Sequence, residues 1–175
     1  MKDKMKLAHM RTAFNYAACS SAVRLQVGSI IVKDDAIISI GYNGQPSGWD
    51  NVCEEREYMS SDAGGWLDPE EIDEKWPFVE VSELDDSYIG RYRLKTKSTV
   101  LHAEMNSLMK LTKSTISGTG AAMFVTHAPC IECAKGIYQA GISEVYYASA
   151  YKTTDGIDFL EKCGIKVEYT PAIDK

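Results

Sequence analysis

The pattern of hydrophobic and polar positions in the first part of the chain predicts one helix followed by a β-hairpin. Between residues 7 and 19, apolar side chains recur every three or four positions, which is the spacing of an amphipathic helix. Two segments rich in β-branched residues, 27–33 and 36–42, surround a short polar turn and predict two antiparallel strands. The glycine-rich segment 41–48 then predicts a tight turn and a loop.

In the second half of the chain, helical and strand patterns alternate. Gly141 and Gly164 each follow a helical pattern, at the position where glycine commonly ends a helix. The predicted helices span 102–113, 130–140 and 155–163, and the predicted strands span 121–126, 144–149 and 166–170. This alternation predicts a three-layer α/β domain whose sheet is partly parallel.

Residues 49–98 interrupt the regular pattern. Acidic residues and two adjacent glycines replace clean periodicity, apart from a short helix predicted at Pro69–Lys75. A structureless loop of this length is uncommon inside a compact domain. Aromatic residues along the segment favour an ordered structure: Trp66, Trp76, Phe78, Tyr88 and Tyr92. We therefore interpret 49–98 as an ordered insertion in a single domain that spans 1–175.

The composition is that of one globular domain with an acidic balance of charge. The chain has 175 residues, of which 45% are hydrophobic, and a formal net charge of −6. Proteins that bind nucleic acid usually need a basic face to neutralise phosphates, so we expect no stable nucleic-acid partner. A small ligand with one phosphate is compatible with this charge, because one or two arginines and a helix N-terminus can hold it.

No segment of the sequence indicates a membrane span or an export signal. Apolar runs fall short of the roughly 20 residues that cross a bilayer, and no apolar signal-peptide core follows the basic first residues. We therefore expect a cytoplasmic protein without a membrane partner. Five cysteines in that compartment do not suggest a disulfide framework, and Cys19, Cys53 and Cys163 are interpreted as small buried hydrophobic residues.

Three residues have the spacing of metal ligands. Cys130 and Cys133 are three residues apart at the start of a predicted helix, so both sulfurs project from one face of its first turn. Pro129 favours an abrupt helix entry, and the helix dipole there lowers thiol pKa values. His102 can supply a nitrogen ligand from the beginning of another helix. Three protein ligands leave one tetrahedral position open, as in a catalytic zinc site.

Glu104 is the candidate catalytic residue. It lies two residues beyond His102, where it can approach the metal site without being a ligand. Zinc lowers the pKa of water to about 7, and a carboxylate beside that water can take its proton and deliver protons to a substrate. Positioned acid–base groups of this type contribute about 10²–10⁴-fold to a reaction rate.

Other interpretations of the same residues stay open at this point. A redox cysteine pair would leave His102 and Glu104 without a role. A structural zinc would need a fourth ligand, for which His127 is the best candidate because it lies close to the cysteines in sequence. A protein that binds zinc only as a structural element and catalyses no reaction would have no need of Glu104.

Together the two motifs resemble the signature of the cytidine deaminase superfamily, H-x-E followed by P-C-x-x-C. Here they read His-Ala-Glu at 102–104 and Pro-Cys-Ile-Glu-Cys at 129–133, with 24 residues between Glu104 and Pro129. The resemblance implies a three-layer α/β/α cytidine deaminase-like fold with a mixed five-stranded sheet. It also implies one catalytic Zn(2+) per chain, since the insertion contains no histidine for a second, structural zinc.

Within the superfamily, the chain is most similar to the deoxycytidylate deaminase family. The similarity is strongest over 22–48 and 100–163, and it includes the Gly-Tyr-Asn-Gly-Gln-Pro-Ser-Gly loop at 41–48 and the insertion that follows it. It implies hydrolytic deamination of dCMP to dUMP, a precursor for thymidylate synthesis. Alternatives within the superfamily are deaminases of cytidine, guanine or tRNA adenosine.

The resemblance also implies roles for individual residues around the substrate. Asn43 would contact the sugar and base, and the backbone around Ala103 would receive the cytosine carbonyl. Tyr151 matches an aromatic residue that closes on the sugar and phosphate. Arg24 is the nearest upstream cation that could hold the phosphate.

Larger members of the family are hexamers that dCTP activates and dTTP inhibits, bound with Mg(2+). The resemblance therefore implies a homohexamer with nucleotide effectors. Residues in the 41–48 loop, Asn43 and Gly44, and Lys113 beyond the His-Ala-Glu motif are the candidates for touching an effector.

Overall fold

The computed structural model describes residues 1–60 and 67–172, so the prediction of an ordered position for Trp66 lies outside the described residues. The described parts form helices and strands in the order α1 Asp3–Ala17, β1 Gly28–Lys33, β2 Ala36–Tyr42, β3 Glu54–Tyr58, α2 Pro69–Lys75, β4 Phe78–Val81, β5 Tyr88–Thr96, α3 Ala103–Leu111, β6 Ala122–His127, α4 Ile131–Gln139, β7 Glu144–Ser149, α5 Asp155–Lys162 and β8 Lys166–Tyr169.

The central sheet has five strands in the order β2-β1-β6-β7-β8. β1 is antiparallel to both of its neighbours, whereas β6, β7 and β8 are parallel. The mixed five-stranded sheet is therefore confirmed. The predicted hairpin is also present, and its turn residues Asp34 and Asp35 have φ angles of 51° and 60°, which favour the twist of a tight hairpin.

Helices cover both faces of this sheet. Ile30 and Ile31 are adjacent in β1 and point to opposite faces, as successive strand residues do. Ile30 belongs to a buried cluster with Met10 of α1. Ile31 belongs to the other cluster with Leu108 of α3, and residues of α4 and α5 complete that layer. The three-layer α/β/α architecture is thus confirmed.

The insertion carries a second sheet that the sequence pattern did not reveal. Its three antiparallel strands have the order β3-β5-β4, and α2 has the predicted bounds, with Asp68 and Glu71 forming a capping box. Charged and aromatic side chains interact across this sheet. Arg56 in β3 forms an ion pair with Glu80 in β4, and Phe78 in β4 stacks on Tyr92 in the neighbouring strand β5. Strands of this kind lack the apolar alternation by which strands are found in a sequence.

Two helices begin slightly later than the sequence pattern indicated. His102 is the N-cap residue of α3, and Cys130 is the N-cap residue of α4. The predicted ligands therefore lie at helix N-termini, where backbone N–H groups create positive potential. Within the described ranges, no helix is long and apolar enough to cross a membrane.

Candidate active site

The predicted metal ligands converge on one point between α3 and α4. Nδ1 of His102 lies 3.6 Å from Sγ of Cys130 and 3.4 Å from Sγ of Cys133. All three ligand atoms lie within 4.8 Å of one another. A tetrahedral zinc at ordinary Zn–S and Zn–N distances separates its sulfur and nitrogen ligands by about 3.6 Å. The residues present therefore fit a zinc ion.

The two thiols have opposite electrostatic environments. Hydrogen bonds with Cys133 and His102 lower the pKa of Cys130 to about 3. The pKa of Cys133 is raised, because its thiol is hydrogen-bonded to Cys130 and because it is buried. The pair thus loses one proton easily and the second with difficulty. A dication between the sulfurs would stabilise both thiolates, so the chemistry of the donor set also fits a metal.

His127, the rival fourth ligand, is not part of this convergent group. Within residues 1–60 and 67–172, only His102, Cys130 and Cys133 form a group of three or more side chains that could hold a metal ion. This arrangement is the three-ligand set of a catalytic zinc rather than a closed four-ligand set.

Glu104 lies in the first turn of α3 with 5% of its surface exposed. Burial raises the pKa of its carboxyl group, and the neighbouring His102 opposes that effect. It lines the same cavity as His102 and Cys130. A buried carboxyl group with a raised pKa can accept a proton and release it again near neutral pH.

A buried network of serines holds the helix that carries Glu104. Ser107 Oγ donates to the carbonyl oxygen of Glu104 over 2.8 Å, and it lies 3.1 Å from Ser29 Oγ in β1. Ser39 Oγ in β2 donates to the Ser107 carbonyl oxygen over 2.6 Å. These hydrogen bonds satisfy buried polar groups and fix α3 to the sheet.

The segment that carries the cysteines is held by close backbone packing against the first turn of α5. A Cβ at Gly156 would lie 2.0 Å from the carbonyl oxygen of Pro129 and 3.0 Å from that of Cys130. Only glycine permits so close an approach of two backbones. The beginning of α5 therefore packs directly on the backbone next to the metal ligands.

One cavity connects the metal ligands with the predicted substrate residues. Besides His102, Glu104 and Cys130, its walls contain Leu25, Val27, Asn43, Thr96, Val100, Ala103, His127, Ala128 and Tyr151. The structure thus brings together three of the four predicted substrate residues, namely Asn43, Ala103 and Tyr151. Most of the remaining wall is apolar, as in small-molecule sites whose few polar groups set specificity.

The fourth predicted residue, Arg24, is not among the residues that line this cavity, but it contacts one of them. Its Nη1 donates to Thr96 Oγ1 over 3.1 Å, and Thr96 is part of the cavity wall. The buried carboxylate of Glu54 accepts hydrogen bonds from the backbone N–H groups of Val23 and Arg24, each over 3.1 Å. The insertion therefore positions Arg24 through Glu54 in β3 and Thr96 in β5.

The side-chain amide of Asn43 is already engaged with the backbone beside the cavity. Its Oδ1 accepts from the Val27 N–H over 2.8 Å, and its Nδ2 donates to the Leu25 carbonyl oxygen over 2.9 Å. An amide has two donor hydrogens and two acceptor positions, so one of each is left for a ligand. Asn43 thus also shapes the wall that Leu25 and Val27 form.

Two polar residues of the cavity, Thr96 and His127, were absent from the substrate residues predicted by sequence. Thr96 comes from an insertion strand that no periodicity marked. His127 was considered only as a metal ligand, although its place at the carboxyl end of β6 was a usable signal, because ligand sites in α/β folds gather at that edge of the sheet.

The candidate effector residues are only partly brought together. Asn43 and Gly44 line a second cleft, whose walls also include Lys110. Lys113 lies beyond the end of α3 and is not among the residues of that cleft. Lys110, one helical turn earlier, is the lysine of this cleft, and its Nζ donates to the Ile40 carbonyl oxygen over 2.9 Å.

Comparison with known proteins identifies the family. Residues 3–149 match the family model described as the cytidine and deoxycytidylate deaminase zinc-binding region. The chain belongs to this family. It is therefore a member of a family of zinc-binding, hydrolytic deaminases, as the His-Ala-Glu and Pro-Cys-Ile-Glu-Cys motifs predicted.

Relatives within the family come from bacteria, phages and animals. The deoxycytidylate deaminase of Enterobacteria phage T4 is 32% identical over 174 residues, covering 93% of this chain and 88% of that protein. The ComE operon protein 2 of Bacillus subtilis is 34% identical and covers 85% of this chain. The human deoxycytidylate deaminase is 34% identical and covers 80%. The chain spans 62% of the length of each of these last two proteins.

Solved structures confirm the cytidine deaminase-like fold. The dCMP deaminase of cyanophage S-TIM5, in a complex with dCMP and dUMP, has 36% sequence identity and a TM-score of 0.71, covering 97% of this chain and 98% of the other. A bifunctional deaminase and reductase from Thermotoga maritima, at 18% identity and a TM-score of 0.60, shares the fold.

Proposed function

We propose that this chain catalyses the hydrolytic deamination of dCMP to dUMP with release of ammonia. The observation that carries the proposal is the convergence of His102, Cys130 and Cys133 next to Glu104, in one cavity that also contains Asn43 and Tyr151. The similarity to phage deaminases of dCMP over nearly the whole chain supports the choice of substrate.

In this proposal, His102, Cys130 and Cys133 hold one zinc ion per chain. When bound, zinc supplies the Lewis acidity that makes water an effective nucleophile near neutral pH. The chain contributes two thiolates and one neutral imidazole in a fixed arrangement. Because α3 and α4 are each anchored to their neighbours, the ligand geometry needs little rearrangement when the metal binds.

Glu104 moves the protons of the reaction. Water adds to C4 of the cytosine ring and loses a proton to the Glu104 carboxylate. The same carboxyl group delivers that proton to the ring nitrogen N3. It then takes the remaining proton from the hydroxyl group now on C4 and delivers it to the amine, so that the C4 carbonyl forms, the C4–N4 bond breaks and ammonia leaves. Glu104 is buried, which shields this exchange from bulk water and raises the pKa of its carboxyl group above the ordinary value.

The remaining polar residues bind the nucleotide. The free donor and acceptor of Asn43 contact the sugar and base, and the backbone N–H at Ala103 receives the cytosine carbonyl. Tyr151 closes on the sugar and phosphate from the side of β7. Arg24, which contacts Thr96 of the cavity wall, supplies the positive charge for the phosphate, and Glu54 and Thr96 hold it in position.

The proposal extends to regulation, assembly and location. We propose a homohexamer in the cytoplasm, acting in pyrimidine nucleotide biosynthesis, with dCTP as activator and dTTP as inhibitor, each bound with Mg(2+). The cleft that contains Asn43, Gly44 and Lys110 is the effector site that fits this proposal, since Lys110 supplies a positive charge among its lining residues. Lys113 is the weaker candidate because it lies outside that cleft.

One set of rate measurements tests the substrate and the regulation together. Zinc-loaded protein is assayed with dCMP, CMP, deoxycytidine and dCTP, and dCMP saturation curves are repeated with dCTP or dTTP and Mg(2+). We expect dCMP to have the highest kcat/KM of the four substrates. We expect dCTP to shift the dCMP saturation curve to lower dCMP concentrations and dTTP to shift it to higher ones. Equal turnover of deoxycytidine would contradict the phosphate roles of Arg24 and Tyr151, and identical hyperbolic curves would contradict the regulation.

A further inference from the structure

His127 has a defined place in the cavity but no role in the proposed chemistry. It is the last residue of β6, it is half-buried, and it lines the cavity next to Cys130 and Glu104. Its Nδ1 lies 3.2 Å from Oγ1 of Thr126, the residue before it. The other ring nitrogen, Nε2, has no hydrogen-bond partner among the described residues, and it is not sealed in the interior.

The Thr126 hydroxyl determines which nitrogen of His127 carries the hydrogen. Thr126 is fully buried, and its Oγ1 accepts a hydrogen bond from the Gly28 N–H over 3.2 Å. A buried hydroxyl hydrogen needs an acceptor, because leaving it unpaired costs free energy. In the described part of the chain, Nδ1 of His127 is the acceptor within reach of that hydroxyl. Thr126 therefore donates to Nδ1, and the neutral ring carries its hydrogen on Nε2.

Burial disfavours the charged form of the His127 side chain. Burial lowers the pKa of the imidazole below its ordinary value. The nearby walls contributed by Leu25, Val27 and Ala128 are apolar. A hydrogen-bond donor in such surroundings selects for a ligand that carries an acceptor at the matching position, because a ligand without one leaves the donor unpaired.

We propose that His127 contacts the substrate, donating a hydrogen bond from Nε2–H to an acceptor oxygen of the bound nucleotide, with its tautomer set by Thr126. The inference rests on the proposed function, since it assumes that this cavity holds a nucleotide. It adds a specificity-determining residue to the site. The acceptor is an oxygen of the cytosine base, the sugar or the phosphate.

Steady-state kinetics of two variants test this contact. His127→Leu removes the donor and keeps an apolar side chain, and we expect KM for dCMP to rise by about tenfold with kcat changed much less. His127→Gln retains an N–H donor and should recover part of the loss. A rise in KM for both dCMP and deoxycytidine would identify a base or sugar oxygen, and a rise for dCMP alone would identify the phosphate. An unchanged KM for both substrates in His127→Leu would overturn the proposal.

Histidine NMR provides a test that does not depend on turnover. The chain contains 3 histidines, so the ¹⁵N signals of His127 can be assigned by comparison with His127→Gln. We expect the Nε2–H tautomer in the zinc-loaded wild type and in Thr126→Ser, and a loss of that preference in Thr126→Val. A hydrogen on Nδ1 of His127 in the wild type would overturn the proposal.

Adding dCMP to the zinc-loaded Glu104→Gln protein separates this proposal from the proposed function. We expect the Nε2–H signal of His127 to move as the nucleotide binds. If dCMP binds without moving that signal, the contact is absent even when the wild type deaminates dCMP. If instead the signal moves but the wild type does not deaminate dCMP, the contact stands and the proposed reaction is wrong.

Discussion

Gly41 in β2 lies backbone to backbone against Ala103 in the first turn of α3. A Cβ at Gly41 would stand 2.2 Å from the Ala103 carbonyl oxygen and 2.6 Å from the Ser107 amide nitrogen. No side chain separates the strand from the helix at this point. Because His102 and Glu104 are the neighbours of Ala103 in the chain, the contact sets the position of both relative to the cysteines of α4.

Substituting Gly41→Ala should therefore damage the site without touching a catalytic side chain. The added methyl group must push α3 away from β2, and a displacement of about 1 Å in a catalytic group can cost about 10²-fold in rate. We expect kcat/KM for dCMP to fall by that order. Gly90→Ala is the matched control, because its Cβ would meet Tyr58 at 3.4 Å, an ordinary contact distance. Wild-type kcat/KM in Gly41→Ala would contradict this role.

Replacing the proposed proton carrier should separate metal binding from catalysis. Glu104→Gln keeps the shape of the side chain but cannot exchange a proton, and Glu104 is not one of the three convergent metal ligands. We expect full zinc content by elemental analysis and a loss of dCMP turnover of at least about 10²-fold. Normal deamination by this variant would show that another group carries the protons.

Loss of the metal should remove activity and reduce stability together. Cys133 has 1% of its surface exposed, and a metal that binds only the folded chain stabilises it. We expect one zinc per chain in the wild type, and a chelator should lower both the melting temperature and dCMP turnover until zinc is restored. Cys133→Ser should bind little zinc, whereas Cys163→Ser, at the end of α5, should keep it. Two zinc ions per wild-type chain would contradict the single site.

Acid should destabilise the protein in part through His9. This residue is 6% exposed, its Nε2 has no hydrogen-bond partner among the described residues, and its ring lies 5.2 Å from that of Phe124. Burial lowers its pKa below 6.5, against the opposing charge of Asp35. The unfolded chain therefore binds the proton more tightly, so stability is present above pH 6.5 and is lost as pH falls towards the folded pKa.

The variant His9→Leu tests this pH dependence. Each unit of difference between the folded and unfolded pKa corresponds to about 1.4 kcal/mol. We expect the free energy of unfolding to fall less between about pH 7 and pH 5.5 in His9→Leu than in the wild type, measured by urea denaturation. Comparing the two proteins cancels the contributions of His102 and His127. Equal slopes in both would show that His9 does not carry the effect.

Local patterns were sufficient to predict the metal ligands and most of the main domain. Cys130 and Cys133 are three residues apart, so their spacing alone places both on one face of a helical turn. His102 and Glu104 lie two residues apart at the start of another helix. Strands β1 and β6 of the five-stranded sheet are buried along almost their whole length. The bounds of all five strands differ from prediction by at most one residue. Helix α2 has the predicted bounds, Pro69–Lys75, and it begins with a proline and an acidic first turn.

The strands of the insertion could not be found in the same way. β3 and β5 pair Glu57 with Arg93, and such cross-strand partners are far apart in sequence and show no apolar alternation. The hydrogen bonds that the Glu54 carboxylate accepts from the backbone N–H groups of Val23 and Arg24 likewise join segments about 30 residues apart. Contacts of this type exist only once the chain has folded.

The amino-acid sequence by itself was sufficient to indicate the family, the candidate metal ligands and the candidate proton carrier, because these show as residue types at fixed spacing in two short motifs. Only the tertiary structure decided that His127 joins the cavity wall rather than the metal ligands, that Arg24 contacts Thr96 of that wall, and that Lys110 rather than Lys113 lines the second cleft. The physical reason is that a cavity wall is assembled from segments that are distant in sequence. Which side chains reach it is set by backbone contacts such as that of Gly41 with Ala103.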